Sequence, residues 1–109
     1  MSEIDIEEKL RRILAAIIQV CQVYAGEAEG YMKNNAPWKD RTGVARGSLH
    51  SKVLIDKDNI TIRLSHGVEY GVYLEYAHGG KYAILRPTAD LYKDRIVNEI
   101  KALFRRLGV

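Results

Sequence analysis

Gly67-Val-Glu-Tyr-Gly-Val-Tyr-Leu-Glu-Tyr-Ala-His-Gly-Gly-Lys-Tyr-Ala-Ile-Leu-Arg-Pro87 carries four of the seven tyrosines and four of the nine glycines in this 109-residue chain. Tyr70, Tyr73 and Tyr76 recur at every third residue with Leu74 beside them, so a short helix here sets the rings and Leu74 along one side. Gly79-Gly80 breaks that helix, residues 81–85 read as a short strand, and Pro87 stands where a last helix begins. Glycines at 67, 71, 79 and 80 predict a middle segment that rearranges at little cost.

Just upstream, residues 49–56 and 60–65 alternate as a hairpin does. Leu49, Ser51, Val53 and Ile55 oppose His50, Lys52 and Leu54, and Ile60, Ile62 and Leu64 oppose Thr61, Arg63 and Ser65. Asp56-Lys-Asp-Asn59 supplies four turn formers between them, and His66-Gly67 closes the section as a turn. Two strands alone are marginal, so residues 81–85 are expected to add a third, with the oily face against the long helices.

Those helices flank the middle. Over about residues 4–32, Ile6, Leu10, Ile13, Ile17, Val20, Tyr24 and Tyr31 form an apolar stripe that Leu14, Ile18 and Cys21 widen. Ser2, Glu3, Asp5, Glu7 and Glu8 favour the helix start, Glu8 faces Arg12 across one turn, and Asn34-Asn-Ala-Pro37 ends the run. A coiled coil is the alternative, but the stripe is wider than a two-stranded seam and the sheet needs a cover. Over about residues 88–107, Leu91, Tyr92, Ile96, Ile100, Leu103, Phe104 and Leu107 share a side, with Pro87 at the start and Gly108 at the stop. The resulting fold class is α+β: a long N-terminal helix, an antiparallel sheet of three or four strands with a short aromatic helix, and a C-terminal helix packed on the sheet.

Length allows one domain, residues 1–109, without room for separate catalytic and recognition units. The hydrophobic share of 47%, the charged share of 28% and the net charge of +3 belong to an ordinary globular protein, and the Lys and Arg residues are interleaved with acids. Lone Cys21, inside an apolar pattern, fits a reducing compartment and a buried small hydrophobe. No leader and no apolar run of membrane-spanning length is read, so export and membrane embedding are not expected.

Chemistry is sparse. His50, His66 and His78 lack ligand-like spacing, and Gly79-Gly80 lacks the lysine–serine pair of a phosphate loop. Glu69 and Glu75 do not share a helix face, and the Ser and Thr residues lack a base in sequence. No cofactor or metal is expected. Trp38 reads first as a loop anchor and second as a partner contact, while Asp40 or Thr42 can cap a turn through 44–48.

The run Trp38-Lys-Asp-Arg-Thr-Gly43, followed in order by Gly67-Val-Glu-Tyr70, Tyr73-Leu-Glu-Tyr76 and Leu85-Arg-Pro87, resembles the small tail-component proteins of long-tailed phages and prophages. That family supplies head-tail joining, neck or tail-completion subunits, and the likeness runs over residues 5–105, although the tract 77–83 is short for the family. It implies a structural, non-enzymatic virion subunit that acts in the virion and in the host cytoplasm during assembly. Its partners would be other neck, tail or connector proteins, and DNA would be present only as channel contents. A homo-oligomeric ring when assembled, and a monomer that orders its loops on docking when free, are part of the same expectation. A closed ring of head-to-tail contacts needs two different patches. One is expected on Tyr70, Tyr73, Glu75 and Tyr76 with Arg86, the other on Trp38, Arg41 and Arg46, and both offer aromatic and arginine anchors of the kind that dominate interfaces. The runner-up is a small nucleic-acid-binding or regulatory module using Arg41, Arg46, Lys52 and Arg63. An enzyme ranks third.

Overall fold

The stripe of apolar residues in the first segment becomes α1, Ile6–Asn35, in a computed structural model that describes residues 6–38, 43–57 and 59–108. Gly26 and Gly30 do not end it: a side chain at either would meet nothing within 4 Å, and the helix packs through Cys21, Ala25, Ala28 and Met32 instead. These four recur at steps of four, three and four, and three of them are small, so neighbouring elements approach the backbone closely. The helix stops where Pro37 can no longer donate, with Ala36 N–H on the Met32 carbonyl at 3.0 Å and Asn35 Nδ2 on the Tyr31 carbonyl at 2.9 Å.

A single turn, α2 (Val44–Gly47), leads into β1 (His50–Asp56) and β2 (Asn59–Ser65), an antiparallel pair in which Val53 faces Ile62 and Asp56 faces Asn59. Gly43, with φ of 76°, starts α2 without a side-chain cap. Asp40 and Thr42 as capping alternatives lie outside the described residues. Since Asp56 and Asn59 pair with each other, the expected four-residue connection is a two-residue one.

The sheet among the described residues has two strands, not three or four. Residues 81–85 are not a strand: Lys81 N–H reaches the His78 carbonyl at 3.3 Å and Ala83 N–H the Gly80 carbonyl at 3.0 Å, which folds the segment into turns. Its next two amides, of Ile84 and Leu85, are taken by the Glu75 carboxylate at 2.7 and 2.8 Å. Donors that a ladder would need are thereby used to start a helix.

That helix is α4, Leu85–Leu107, beginning three residues earlier than Thr88. Pro87 sits within its first turn, where a missing N–H loses nothing, and Gly108 at φ 71° closes it with its N–H on the Arg105 carbonyl. It runs antiparallel to α1: the Tyr92 ring meets Tyr24 and Tyr31 edge-on at 6.4 and 5.9 Å, while Leu107 shares a cleft with Ile13 near the start of α1. Its main neighbour is therefore α1, and it only skirts β2, a correction to the expected packing on the sheet.

Between β2 and α4 lie α3 (Gly71–Tyr76) and a 3₁₀ turn (Ala77–Gly80), the latter possible because His78, Gly79 and Gly80 have φ of 54°, 67° and 82°. The core gathers at this end of the molecule, where Met32, Ala36, Trp38, Ala45, Leu49 and Ile84 are buried against Tyr31, Leu64 and Leu74. The whole is a rod of 67 × 22 × 21 Å with a radius of gyration of 17.7 Å. A compact chain of this length has a radius near ~13 Å. Its accessible surface is 7984 Å², against about 6,100 Å² for a folded monomer of this mass.

Candidate functional site

The short helix α3 divides its residues differently from the sequence expectation. Tyr70, Tyr73 and Tyr76 face outward, 50%, 58% and 79% exposed, whereas Leu74 packs inward against the core cluster. Rings and Leu74 are not on one side. Gly71 and Glu75 take the inner side with Leu74, and Gly71 is there because a Cβ would lie 2.3 Å from the His66 Cβ. At Gly71, and at Gly67 where a Cβ would come within 3.1 Å of the Ser48 Cβ, glycine serves close packing rather than ease of rearrangement. On the outer side Tyr73 Oη and His78 Nε2 are 3.1 Å apart, His78 stands edge-on to Tyr82, and Lys81 Nζ lies over the Tyr82 ring. Tyr73, His78 and the half-buried Tyr82 thus form one run of ring contacts.

Glu75 is buried and acts inside the chain. One of its oxygens accepts the N–H groups of Ile84 and Leu85 and is 3.2 Å from His66 Nε2, so a side chain from α3 caps the start of α4. The negative group sits at the positive end of the helix. Arg46 does the converse at the other long helix: its guanidinium donates to the carbonyls of Lys33, Ala36 and Trp38 at 2.7, 3.0 and 2.7 Å, where α1 ends. Trp38 is buried beneath it, with the Arg46 guanidinium 5.8 Å from its ring centre and His66 alongside at 5.7 Å. Among the eight expected partner-contact residues, Trp38 and Glu75 are therefore interior, Arg46 is half-buried with its charge turned inward, and Arg41 lies outside the described residues. Tyr70, Tyr73, Tyr76 and Arg86 are exposed, Arg86 beside Asp90 at 3.6 Å.

Two features escaped the linear reading. The hairpin register sets His50 against Ser65, and Ser65 Oγ lies 2.7 Å from His50 Nε2 while His50 Nδ1 is 2.9 Å from the Ser48 carbonyl. One serine thus has a base after all. The pair stands on an exposed strand end, and none of the described clefts is lined by both residues. A serine and an imidazole still need donors for a developing oxyanion before acyl transfer is supported. The signal that finds the pair is cross-strand register, which exists only once the turn length is known.

The second feature is Glu29, which reaches from α1 to accept the Ser51 N–H at 2.9 Å, while Ser51 Oγ donates to the Ala25 carbonyl. The Ser51 hydrogen bond holds the Glu29 carboxyl below its ordinary range against partial desolvation, and Lys33 Nζ at 3.5 Å adds to the effect. Burial pushes the Cys21 thiol up, keeping it a neutral apolar contact. An open groove of about 690 Å³ runs between the Ile62 and Leu64 side chains of β2 and a wall of Tyr76, Leu85 and Ala89. No described helix is long and apolar enough to cross a membrane. Comparison with family models, curated proteins and solved structures gives no match to this chain.

Proposed function

We propose that this chain is a structural subunit of the head-tail connector, neck or tail-completion ring of a long-tailed phage or prophage. The observation that carries the reading is the surface. An area of 7984 Å² exceeds the usual ~6,100 Å² by more than twice the ~800 Å² that one partner gives to a standard interface, as expected of a subunit with two contacts. A rod with aromatic residues on an outward helix face is what a subunit designed to be covered looks like, and an independent monomer has no need of it. The motif order in the sequence supplies the virion context. DNA enters only as what the ring encloses.

Replacing two of the outward rings, Tyr73→Ala with Tyr76→Ala, is expected to leave the thermal unfolding midpoint within about 2 °C of the parent. Sedimentation of the purified variant, and complementation of tail attachment, should then show lost assembly. Normal attachment by that folded variant would sink the reading. A second reading, a small nucleic-acid-binding or regulatory module, draws on Lys52 and Arg63, like charges directly opposite on the exposed face of the hairpin. Of its other two arginines, Arg46 is turned inward and Arg41 lies outside the described residues. Steep salt dependence of duplex binding by the isolated subunit would favour it.

A further inference from the structure

The two edges of the hairpin are not equivalent. Asp56 and Asn59 are opposite with only positions 57 and 58 between them, so this pair exchanges both ladder bonds, as do 54 with 61, 52 with 63 and 50 with 65. The main-chain groups of Ser51, Val53 and Ile55 on β1, and of Ile60, Ile62 and Leu64 on β2, therefore point away from the hairpin. On β1 the Ser51 N–H is already given to Glu29. On β2 no described residue meets Ile60, Ile62 or Leu64 through the main chain from the outer side. This seven-residue edge has no proline and a single charge, Arg63, which lies on the polar face, while its inner side chains Ile60, Ile62 and Leu64 carry none of the inward charges that blunt such edges.

We propose that the outer edge of β2 is completed by β1 of a second copy of this chain, head to tail and antiparallel, with Ile62 opposite Ile55 and Leu64 opposite Val53 of the next copy. The proposal rests on the assembly reading above and names its contact. Three observations select the occupant and its register. First, Ile55 is 56% exposed in the free chain, although it lies on the inner side with Val53, and the pairing covers it. Second, the unshifted alternative, Ile62 opposite Val53, sets Arg63 against Lys52 of the next copy and requires the Ser51 amide that Glu29 holds. Shifting the other way sets Ile62 opposite Ser51 and again needs that amide. Third, in the proposed register Arg63 falls opposite Leu54, Lys52 opposite Ser65 and Thr61 opposite Asp56, with no like charges facing.

Each copy adds two strands, about 10 Å of sheet, to the growing edge. A head-to-tail contact of this kind closes into a ring where the rotation per copy divides a full turn, and otherwise winds into an open filament.

Thr61 and Asp56 are exposed and, across the new contact, occupy a closely spaced non-bonded pair. In a Cys21→Ala background, single variants Thr61→Cys and Asp56→Cys are mixed at millimolar concentration and oxidised. The mixture is expected to give a covalent dimer of one copy of each, and neither variant alone should do so. Amide hydrogen exchange on the parent supplies the second measurement. The N–H groups of Ile62, Leu64, Val53 and Ile55 should slow roughly a hundredfold on assembly, while those of Thr61 and Arg63 are slow throughout. A chain that assembles with the 62 and 64 amides still fast, or without the mixed dimer, overturns this pairing and leaves the assembly reading standing. A chain that stays monomeric at millimolar concentration with no cross-link overturns both.

Discussion

The two ends of the rod are built from the same kind of helix stripe and finish differently. Where α1 ends, Met32 and Leu49 are wholly buried and both neighbouring helix termini are tied by a charged side chain, Arg46 on one and Glu75 on the other. Where α1 begins, Leu10, Leu14, Phe104 and Leu107 keep 58%, 46%, 36% and 43% of their surface. Periodicity is equal at the two ends, but the number of covering elements is not. The base of the hairpin, α2 and α3 cover the first end, whereas only the hairpin tip, through Ile55 and Ile60, comes beside Leu14 toward the other, which is otherwise a contact of two helices with one flank open. An apolar stripe states that a cover exists and does not state whose chain supplies it.

The widest contrast is expected from one leucine at each end. Leu49→Ala empties a fully buried site and should cost about 3–5 kcal/mol in urea unfolding. Leu10→Ala removes a largely solvated side chain and should change unfolding by less than about 0.5 kcal/mol, while weakening assembly in sedimentation. Equal losses at the two positions would break the distinction between a finished end and an open one.

Glu75 sharpens it next. Removing the carboxylate strands the amides of Ile84 and Leu85 in a buried setting, and Glu75→Ala should cost about 2–4 kcal/mol. Glu75→Gln keeps an accepting oxygen and should recover at least half of that. Hydrogen exchange in the first turn of α4 locates the effect: the amides of residues 84 and 85 should become fast in the alanine variant. A loss spread evenly over α4 would mean that Glu75 acts through packing and not as the helix cap.

Much of this fold was legible. Alternation in residues 49–65 and the 3.6-residue stripes set the hairpin and both long helices within a few positions, because local period depends on backbone geometry alone. The third strand failed because Ile84 and Leu85 can donate either to a ladder or to a carboxylate, and the position of Glu75 relative to them is a tertiary fact. Tyrosines at 70, 73 and 76 share a face in either reading. Which face points inward was decided by Gly71, whose missing side chain admits His66, and that contact joins segments that sequence spacing does not align. Arg46 and Trp38 drew notice as interface types, yet the same donors and ring that suit a partner also suit a nearby helix end.

The smallest effect concerns the edge that Glu29 closes. Its carboxyl is held below the ordinary value of 4.5, first by the Ser51 N–H and then by Lys33, against the desolvation that works the other way. A folded-state value lower than the unfolded one means that the stabilisation is complete above the ordinary value. It is lost as pH falls through the lower, folded-state value. The carboxylate is about one-third exposed, 34%, so solvent screening keeps the contribution small. Glu29→Gln should therefore lower stability by less than about 1 kcal/mol at neutral pH, with the two proteins converging in acid. Urea midpoints measured from neutral pH down to pH 3 check this, and a difference that does not shrink on acidification would exclude the charge as the cause. Glu29→Ala carries the same bond into the assembly question. Freeing the Ser51 amide admits the two excluded registers, so the Thr61–Asp56 cross-link should lose yield, because a strand edge without its stop can slide.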